Sequence, residues 1–135
     1  MKKFLLNYWK SIVVIISILY LSFASPSTFS KIPTFENEDK LVHMLMYAGL
    51  CAILIFDFRL ADKNNNTKSK HGYILCLIFP ILLGGVVEIL QPLYFAPRSA
   101  SWFDFGANVS GILLSWIFMH VFENIIHKLF VRRKA

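Results

Sequence analysis

Charged residues are scarce in this sequence. They make up 16% of its 135 residues, whereas a soluble domain of this size contains roughly a quarter. Hydrophobic residues make up 56%, and the mean hydropathy is +0.57. The apolar content falls into four long blocks, which leaves no length for a separate soluble domain.

Cysteine is also rare, and the motifs of common catalytic classes are missing. Cys51 and Cys76 both lie inside apolar blocks and form no CxxC pair, so no disulfide framework is predicted. The sequence has no HExxH and no GxSxG motif. The protein is therefore more consistent with a non-enzymatic role, and neither a metal nor a cofactor is predicted.

The basic residues are grouped at the block edges. The formal charge is +6, but the basic residues form no stripe with interleaved aromatics, and nucleic-acid binding is not expected. Eleven of the 14 Lys and Arg residues lie at the N-terminus, in the second loop or in the C-terminal tail. The positive-inside rule then places both termini in the cytoplasm.

The four blocks predict an all-α fold, a polytopic bundle of four transmembrane helices. Each block is long enough to span a bilayer, which takes roughly 17–25 residues. The sequence predicts one domain over residues 1–135, in a bacterial inner (cytoplasmic) membrane, with helices near residues 10–25, 39–58, 73–91 and 101–122. Pro92 is expected to end the third helix at about Gln91.

The first block allows two interpretations. Lys2, Lys3 and the small residues around Ala24 resemble a cleavable signal peptide. Pro26 and the uncharged run over residues 11–30 favour a retained helix. Cleavage would leave three helices and would not change the topology of the remainder.

Polar residues gather near one boundary in three of the helices. Ionisable groups inside a span cost roughly 2.5–3.5 kcal/mol each, so they usually face the bundle interior or a wet cavity. Helical geometry puts the polar side chains of the second, third and fourth blocks within roughly 10 Å of the outer boundary of the membrane. The predicted binding residues are Asp39, Lys40, His43, Tyr47, Glu88, Gln91, Arg98, Asp104 and Asn108.

The spacing of these residues resembles the VanZ-like family of membrane proteins. The resemblance covers Asp39 to Phe118 and rests on three pieces: Asp39-Lys40-xx-His43-xxx-Tyr47, Glu88-xx-Gln91, and Arg98-Ser99-xxxx-Asp104-xxx-Asn108-xx-Gly111. It implies a small envelope membrane protein with a link to resistance against the lipid-tailed glycopeptide teicoplanin. It supplies no established reaction.

Several of these residues also have a purely structural interpretation. Ser101-xx-Asp104 has the spacing of a capping box, and an acid in the first turn suits the helix dipole. Arg98 is either a clamp for anionic oxygens or an internal partner of Glu88 or Asp104. Glu88 and His43 do not lie in the first turn of a helix, so capping does not explain them. A functional role is favoured over a purely structural one for both.

Three hypotheses follow for the function. The first is a pocket in the outer leaflet that binds the head group of a membrane lipid, a lipid-linked envelope precursor or a lipid-tailed antibiotic. The second is an intramembrane enzyme in which His43 acts with Glu88 or Asp104 as an acid–base pair, or in which they and Asp39 hold Zn²⁺ or Mn²⁺. The third is a structural role in which the polar set locks the helices and membrane-protein partners carry the function.

Overall fold

The computed structural model describes the backbone of residues 2–23, 38–64, 70–94 and 101–132. These residues form four helices and no strand, which confirms the predicted all-α fold. The helices are α1 (Lys2–Phe23), α2 (Glu38–Asn64), α3 (Lys70–Tyr94) and α4 (Trp102–Arg132).

All four helices are long and apolar enough to cross a membrane. The large apolar side chains on their outer faces are exposed, among them Leu45, Leu82 and Phe118. Such a surface would aggregate in water but matches the hydrocarbon of a bilayer. The fold is that of a multi-pass membrane protein.

All four helices are longer than the sequence predicts, and the longest extensions are in α1 and α4. α1 begins at Lys2 and not near residue 10, and α4 continues to Arg132, well beyond residue 122. Neither extension contains Pro or Gly, so nothing in the backbone stops the helix where the apolar run ends. Hydropathy marks the part of a helix that suits lipid, and the helix itself extends further.

The prediction that α3 ends at Gln91 is wrong by about one turn. α3 runs through Pro92 to Tyr94. Proline removes one hydrogen bond to the carbonyl four residues earlier, and the last turn of a helix tolerates this loss. Deeper in α3, Pro80 leaves the carbonyl of Cys76 without its usual donor, and the Cys51 thiol on α2 points at that oxygen at 3.8 Å.

α2 is the central helix of the bundle. It packs most extensively against α4 and also contacts α1 and α3, whereas α1 and α3 touch only slightly. α2 and α4 approach so closely at Gly111 that an added Cβ would overlap the backbone carbonyl of Met44. The buried core between the helices includes Ile18, Tyr47, Leu50 and Ile112.

A partly buried ion pair joins α1 to α2. Asp57 is fully buried and accepts hydrogen bonds from Lys10 Nζ at 3.1 Å, from Ser11 N at 3.1 Å and from Ser11 Oγ at 2.9 Å. Because Asp57 lies towards the C-terminal end of α2, this pair marks one end of the bundle, here called the far end. The opposite end holds the start of α2, the end of α3 and the start of α4.

Candidate functional site

Three helices deliver polar side chains to the end of the bundle opposite the Lys10–Asp57 pair. Consecutive helices run in opposite directions, so the start of α2, the end of α3 and the start of α4 meet there. We call His43, Glu88, Asp104 and Asn108 the polar cluster. One ligand atom from each of His43, Glu88 and Asp104 lies within 4.8 Å of the others.

His43 is the centre of the polar cluster. Its Nδ1 atom lies 3.2 Å from Asn108 Oδ1, within hydrogen-bond distance, and 3.9 Å from Glu88 Oε1. Only 13% of the His43 side chain and 7% of the Glu88 side chain are exposed, and Asn108 is completely buried. These groups are held in a site of low dielectric, where interactions between charges and dipoles are strong.

The hydrogen bonds that cap the start of α4 do not use the Asp104 carboxylate. Ser101 Oγ accepts a hydrogen bond from Asp104 N at 3.3 Å, as expected for an N-cap. In a complete capping box the acid would in turn bind the N–H of Ser101. That N–H instead donates to Glu88 Oε2 of α3 at 3.4 Å. Asp104 Oδ1 is buried and has no hydrogen-bond partner in the described part of the chain, so helix capping does not account for this carboxylate.

Two more buried polar atoms without partners in the described helices lie at this site, one in the polar cluster and one beside it. Tyr47 Oη and Asn108 Nδ2 are inaccessible to solvent, and neither has a hydrogen-bond partner among the described residues. Both side chains pack against Gly84, where an added Cβ would lie 3.2 Å from the Tyr47 ring and 3.3 Å from Asn108 Nδ2. An unpaired buried donor costs about 1–3 kcal/mol, and a bound ligand would remove that cost.

A cleft opens between α3 and α4 next to the polar cluster. This α3/α4 cleft has a volume of about 170 Å³ and is lined by Gly85, Glu88, Ile89, Ser101, Trp102 and Phe105. Ile89 and Trp102 are strongly exposed on the bundle surface, so the cleft faces sideways, towards the surroundings of the helices. Complete small-molecule pockets span roughly 300–1,000 Å³, and this cleft therefore suits only part of a larger ligand.

The structure leaves some of the predicted binding residues outside the polar cluster. Asp39 and Lys40 form a 3.6 Å ion pair with each other, and Asp39 is exposed. Gln91 is buried but donates to the backbone carbonyl of Ser22 on α1 at 2.9 Å, so it joins α3 to α1. Arg98 lies outside the described residues.

The sequence did not predict the second polar contact of the bundle, at the far end. Asp57 lies near the end of the second apolar block, and no pattern in α1 identified Lys10 and Ser11 as its partners. The available signal was the acid itself, since a carboxylate that directly follows the apolar run Leu54-Ile55-Phe56 requires compensation. Its contacts to α1 are complete, and it adds nothing to the polar cluster.

No family model, curated protein or solved structure matches the chain. The chemistry of the site therefore follows from its side chains. Imidazole, two carboxylates and an amide can bind a cation, accept hydrogen bonds from hydroxyl or ammonium groups, or exchange a proton.

Proposed function

We propose that this protein is a small membrane protein of the bacterial envelope that binds the head group of a lipid in its polar cluster. The lipid chain would lie against the α3/α4 cleft. The observation that carries this proposal is the position of Glu88, which lines a mainly apolar cleft and also reaches His43 and Ser101. Such an arrangement suits an amphiphile, which has a polar and an apolar part.

The size and the direction of the cleft support a lipid over a soluble ligand. A volume of about 170 Å³ accommodates a segment of an acyl or prenyl chain, and the remainder of that chain would stay in the bilayer. Because the cleft faces the sides of α3 and α4, a lipid would enter laterally without leaving the membrane. Trp102, which lines the cleft, is typical of the interfacial zone.

The distribution of basic residues supports an orientation for this site. Lys and Arg concentrate at the far end of α2, in the loop that follows it, and at both termini. By the positive-inside rule both termini are cytoplasmic, and the polar cluster faces the outer leaflet of the inner membrane. Lipid-linked wall precursors and membrane lipids are then the ligand class.

The resemblance to the VanZ-like family supports the same proposal. Four of its spaced positions, His43, Glu88, Asp104 and Asn108, form the polar cluster, which is the arrangement expected if these positions serve one site. Membership of that family would extend the proposal to lipid-tailed glycopeptides such as teicoplanin. Binding or shielding of the precursor's lipid region would reduce capture of the antibiotic at the membrane.

The test is lipid binding by the full chain in nanodiscs, measured by native mass spectrometry of retained lipids. Gly85→Leu would fill the α3/α4 cleft, and Glu88→Gln would remove a charge from the polar cluster. Both variants should retain several-fold less lipid than the wild type. Val86→Leu enlarges a neighbouring exposed side chain and serves as the control. Equal retention by wild type, Gly85→Leu and Glu88→Gln would contradict the proposal.

The His43–Glu88 contact also favours a second candidate function, proton transfer to a bound head group. The imidazole lies 3.9 Å from the carboxylate and is oriented by Asn108, and a positioned His–acid pair is the usual apparatus of general acid–base catalysis. An enzyme would change the lipid, whereas a binding protein releases it intact. Thin-layer or mass analysis of lipid after incubation with wild type and His43→Ala separates the two functions.

A further inference from the structure

We infer that the polar cluster is a binding site for one divalent transition-metal ion, Zn²⁺ or Mn²⁺, held by His43, Glu88, Asp104 and Asn108. The ion would stand between the two carboxylates and a phosphate-bearing head group in the α3/α4 cleft. The metal site depends only on the protein's own side chains. Only its role as a bridge to a head group rests on the proposed function.

The spacing of the donor atoms suits a single small cation. Ligands of one tetrahedral Zn²⁺ ion, each about 2.1 Å from the metal, stand roughly 3.4 Å apart. His43 Nδ1 is 3.9 Å from Glu88 Oε1, and no pair among the three ligand atoms of His43, Glu88 and Asp104 exceeds 4.8 Å. Closing the widest gap requires a movement of little more than about 1 Å, which a small side-chain adjustment provides.

Asn108 supplies independent support for a ligand at this position. Its side chain is fully buried, and its Oδ1 atom, which would coordinate the ion, lies 3.2 Å from His43 Nδ1. Its Nδ2 atom is a donor without a hydrogen-bond partner among the described residues, and it would bind an oxygen atom of the head group and not the cation. An amide oxygen is a normal ligand of divalent ions. The 3.2 Å separation fits a hydrogen bond before metal binding and also fits two ligands on one ion.

The charge of the polar cluster favours a divalent cation. Glu88 and Asp104 place two carboxylates within 4.8 Å of each other, where their negative charges repel strongly in a buried site. Asp104 Oδ1 is buried, and no donor in the described helices reaches it. One ion of charge +2 would neutralise both groups and coordinate that oxygen.

The negative charge of the polar cluster also determines how a phosphate could bind here. An anionic head group that enters the α3/α4 cleft meets Glu88, and the two acids would repel it. A cation held by the four residues of the polar cluster, with a fifth coordination position open on the cleft side, would reverse this repulsion. The mixed set of one nitrogen and several oxygens suits Zn²⁺ or Mn²⁺, whereas Mg²⁺ and Ca²⁺ prefer oxygen ligands alone.

The experiment is a titration of the purified full chain with Zn²⁺ and, separately, with Mn²⁺. Calorimetry gives the affinity, and elemental analysis after dialysis gives the stoichiometry. The variants are His43→Ala and Asp104→Asn, of which the second keeps the shape of the side chain and so preserves the fold. Asp39→Asn, an exposed acid on α2, and His71→Ala, an exposed histidine near the far end, are matched controls.

The wild type and both controls should bind one ion per chain, and Asp104→Asn and His43→Ala should bind at least ten-fold more weakly. At the same metal concentration, the bound ion should also raise the melting temperature of the wild type more than that of Asp104→Asn. Absence of stoichiometric metal from the wild type, or equal affinities in wild type and Asp104→Asn, would overturn the inference.

A parallel lipid-binding measurement, with and without chelator, separates this inference from the proposed function. Loss of lipid on chelation supports both the metal site and the proposed function. Stoichiometric metal without lipid retention keeps the metal site and removes the proposed function. Lipid retained by a chain that binds no metal removes the metal site and keeps the proposed function.

Discussion

Individual polar residues in this bundle differ in how they are compensated. Asp57 receives three hydrogen bonds from α1, whereas Asp104 Oδ1 and Tyr47 Oη are buried without a partner among the residues that the structure describes. A buried carboxylate with complete contacts, such as Asp57, stabilises the fold, whereas a buried polar atom without a partner requires an explanation. For Asp104 and Tyr47, a ligand bound at the polar cluster supplies that explanation.

The pair of Lys10 and Asp57 allows a first prediction. Lys10→Ala leaves a fully buried carboxylate without its counter-ion. Because the Lys10 side chain is 35% exposed, we expect a loss of about 2–3 kcal/mol in the free energy of unfolding, less than the roughly 3–5 kcal/mol of a fully buried pair. Lys40→Ala is the control, since Lys40 pairs with Asp39 at the surface and should lose less than about 1 kcal/mol. Chemical denaturation in mixed micelles measures both. Similar losses in the two variants would contradict the assigned role of Asp57.

The cap of α4 gives a second prediction. Ser101→Ala removes the oxygen that accepts from Asp104 N, and we expect a loss of about 1 kcal/mol in stability. Ser110→Ala is a suitable comparison, because Ser110 Oγ only donates to the Gly106 carbonyl on the exposed face of the same helix. The two melting temperatures should differ, with Ser101→Ala the lower. An unchanged melting temperature in Ser101→Ala would contradict the cap.

At the scale of the helices, the interface of α2 and α4 determines the geometry of the site. It carries His43 on one side and Asn108 on the other, and Gly111 lets the two backbones meet at Met44. Small residues permit such approaches between membrane helices. The position of Asn108 against His43 therefore depends on the absence of a side chain at Gly111.

This interface allows a third prediction. Gly111→Ala places a methyl group against the backbone of Met44, which cannot rotate away, and we expect a loss of about 1–3 kcal/mol together with weaker lipid binding. Gly106→Ala is the matched control, since nothing lies within 4 Å of an added Cβ there. That variant should be neutral or slightly stabilised, because alanine favours a helix. Equal behaviour of the two alanine variants in denaturation would argue against close packing.

The helix pattern explains how much of the site could be predicted from the sequence. A rise of about 1.5 Å and a turn of about 100° per residue were sufficient to put His43, Glu88, Asp104 and Asn108 at one depth and on inward faces. Gln91 shares the predicted face with Glu88 but bonds to Ser22 of α1. Its direction depends on where α1 packs, and no periodicity within α3 contains that information.

The partial capping of α4 was equally inaccessible to sequence reasoning. The spacing of Ser101 and Asp104 predicted a reciprocal cap, and the half from Asp104 N to Ser101 Oγ is confirmed. The other half is replaced by Glu88 from α3. The spacing of residues within one helix predicts hydrogen bonds within that helix. The bond from Ser101 N to Glu88 depends on how α3 packs against α4, which this spacing does not contain.

At the scale of the whole molecule, the two ends of the bundle are chemically different. One end is closed by the ion pair of α1 and α2, and the other carries the polar cluster and the α3/α4 cleft. A membrane exposes these ends to different compartments. The proposed orientation, with the polar cluster towards the outside, therefore fixes which compartment each end of the bundle faces.

Cysteine labelling provides the fourth prediction. Asp39→Cys and Lys63→Cys introduce thiols at exposed positions near opposite ends of α2, while native Cys51 and Cys76 are buried. An impermeant maleimide added to intact cells should label Asp39→Cys and should reach Lys63→Cys only after permeabilisation. The reverse pattern would place the polar cluster on the cytoplasmic side.

The convergence of α2 and α3 at His43 and Glu88 underlies the whole account, and cross-linking tests it most directly. In a background without Cys51 and Cys76, His43→Cys and Glu88→Cys are combined with a protease site introduced between α2 and α3. Copper phenanthroline or Hg²⁺ should join the two thiols, so that the cleaved fragments migrate together without reductant. The neighbouring pair Val42→Cys and Ile89→Cys, both exposed on the outside of the bundle, should not cross-link. Fragments joined through the Val42–Ile89 pair and not through the His43–Glu88 pair would contradict the site.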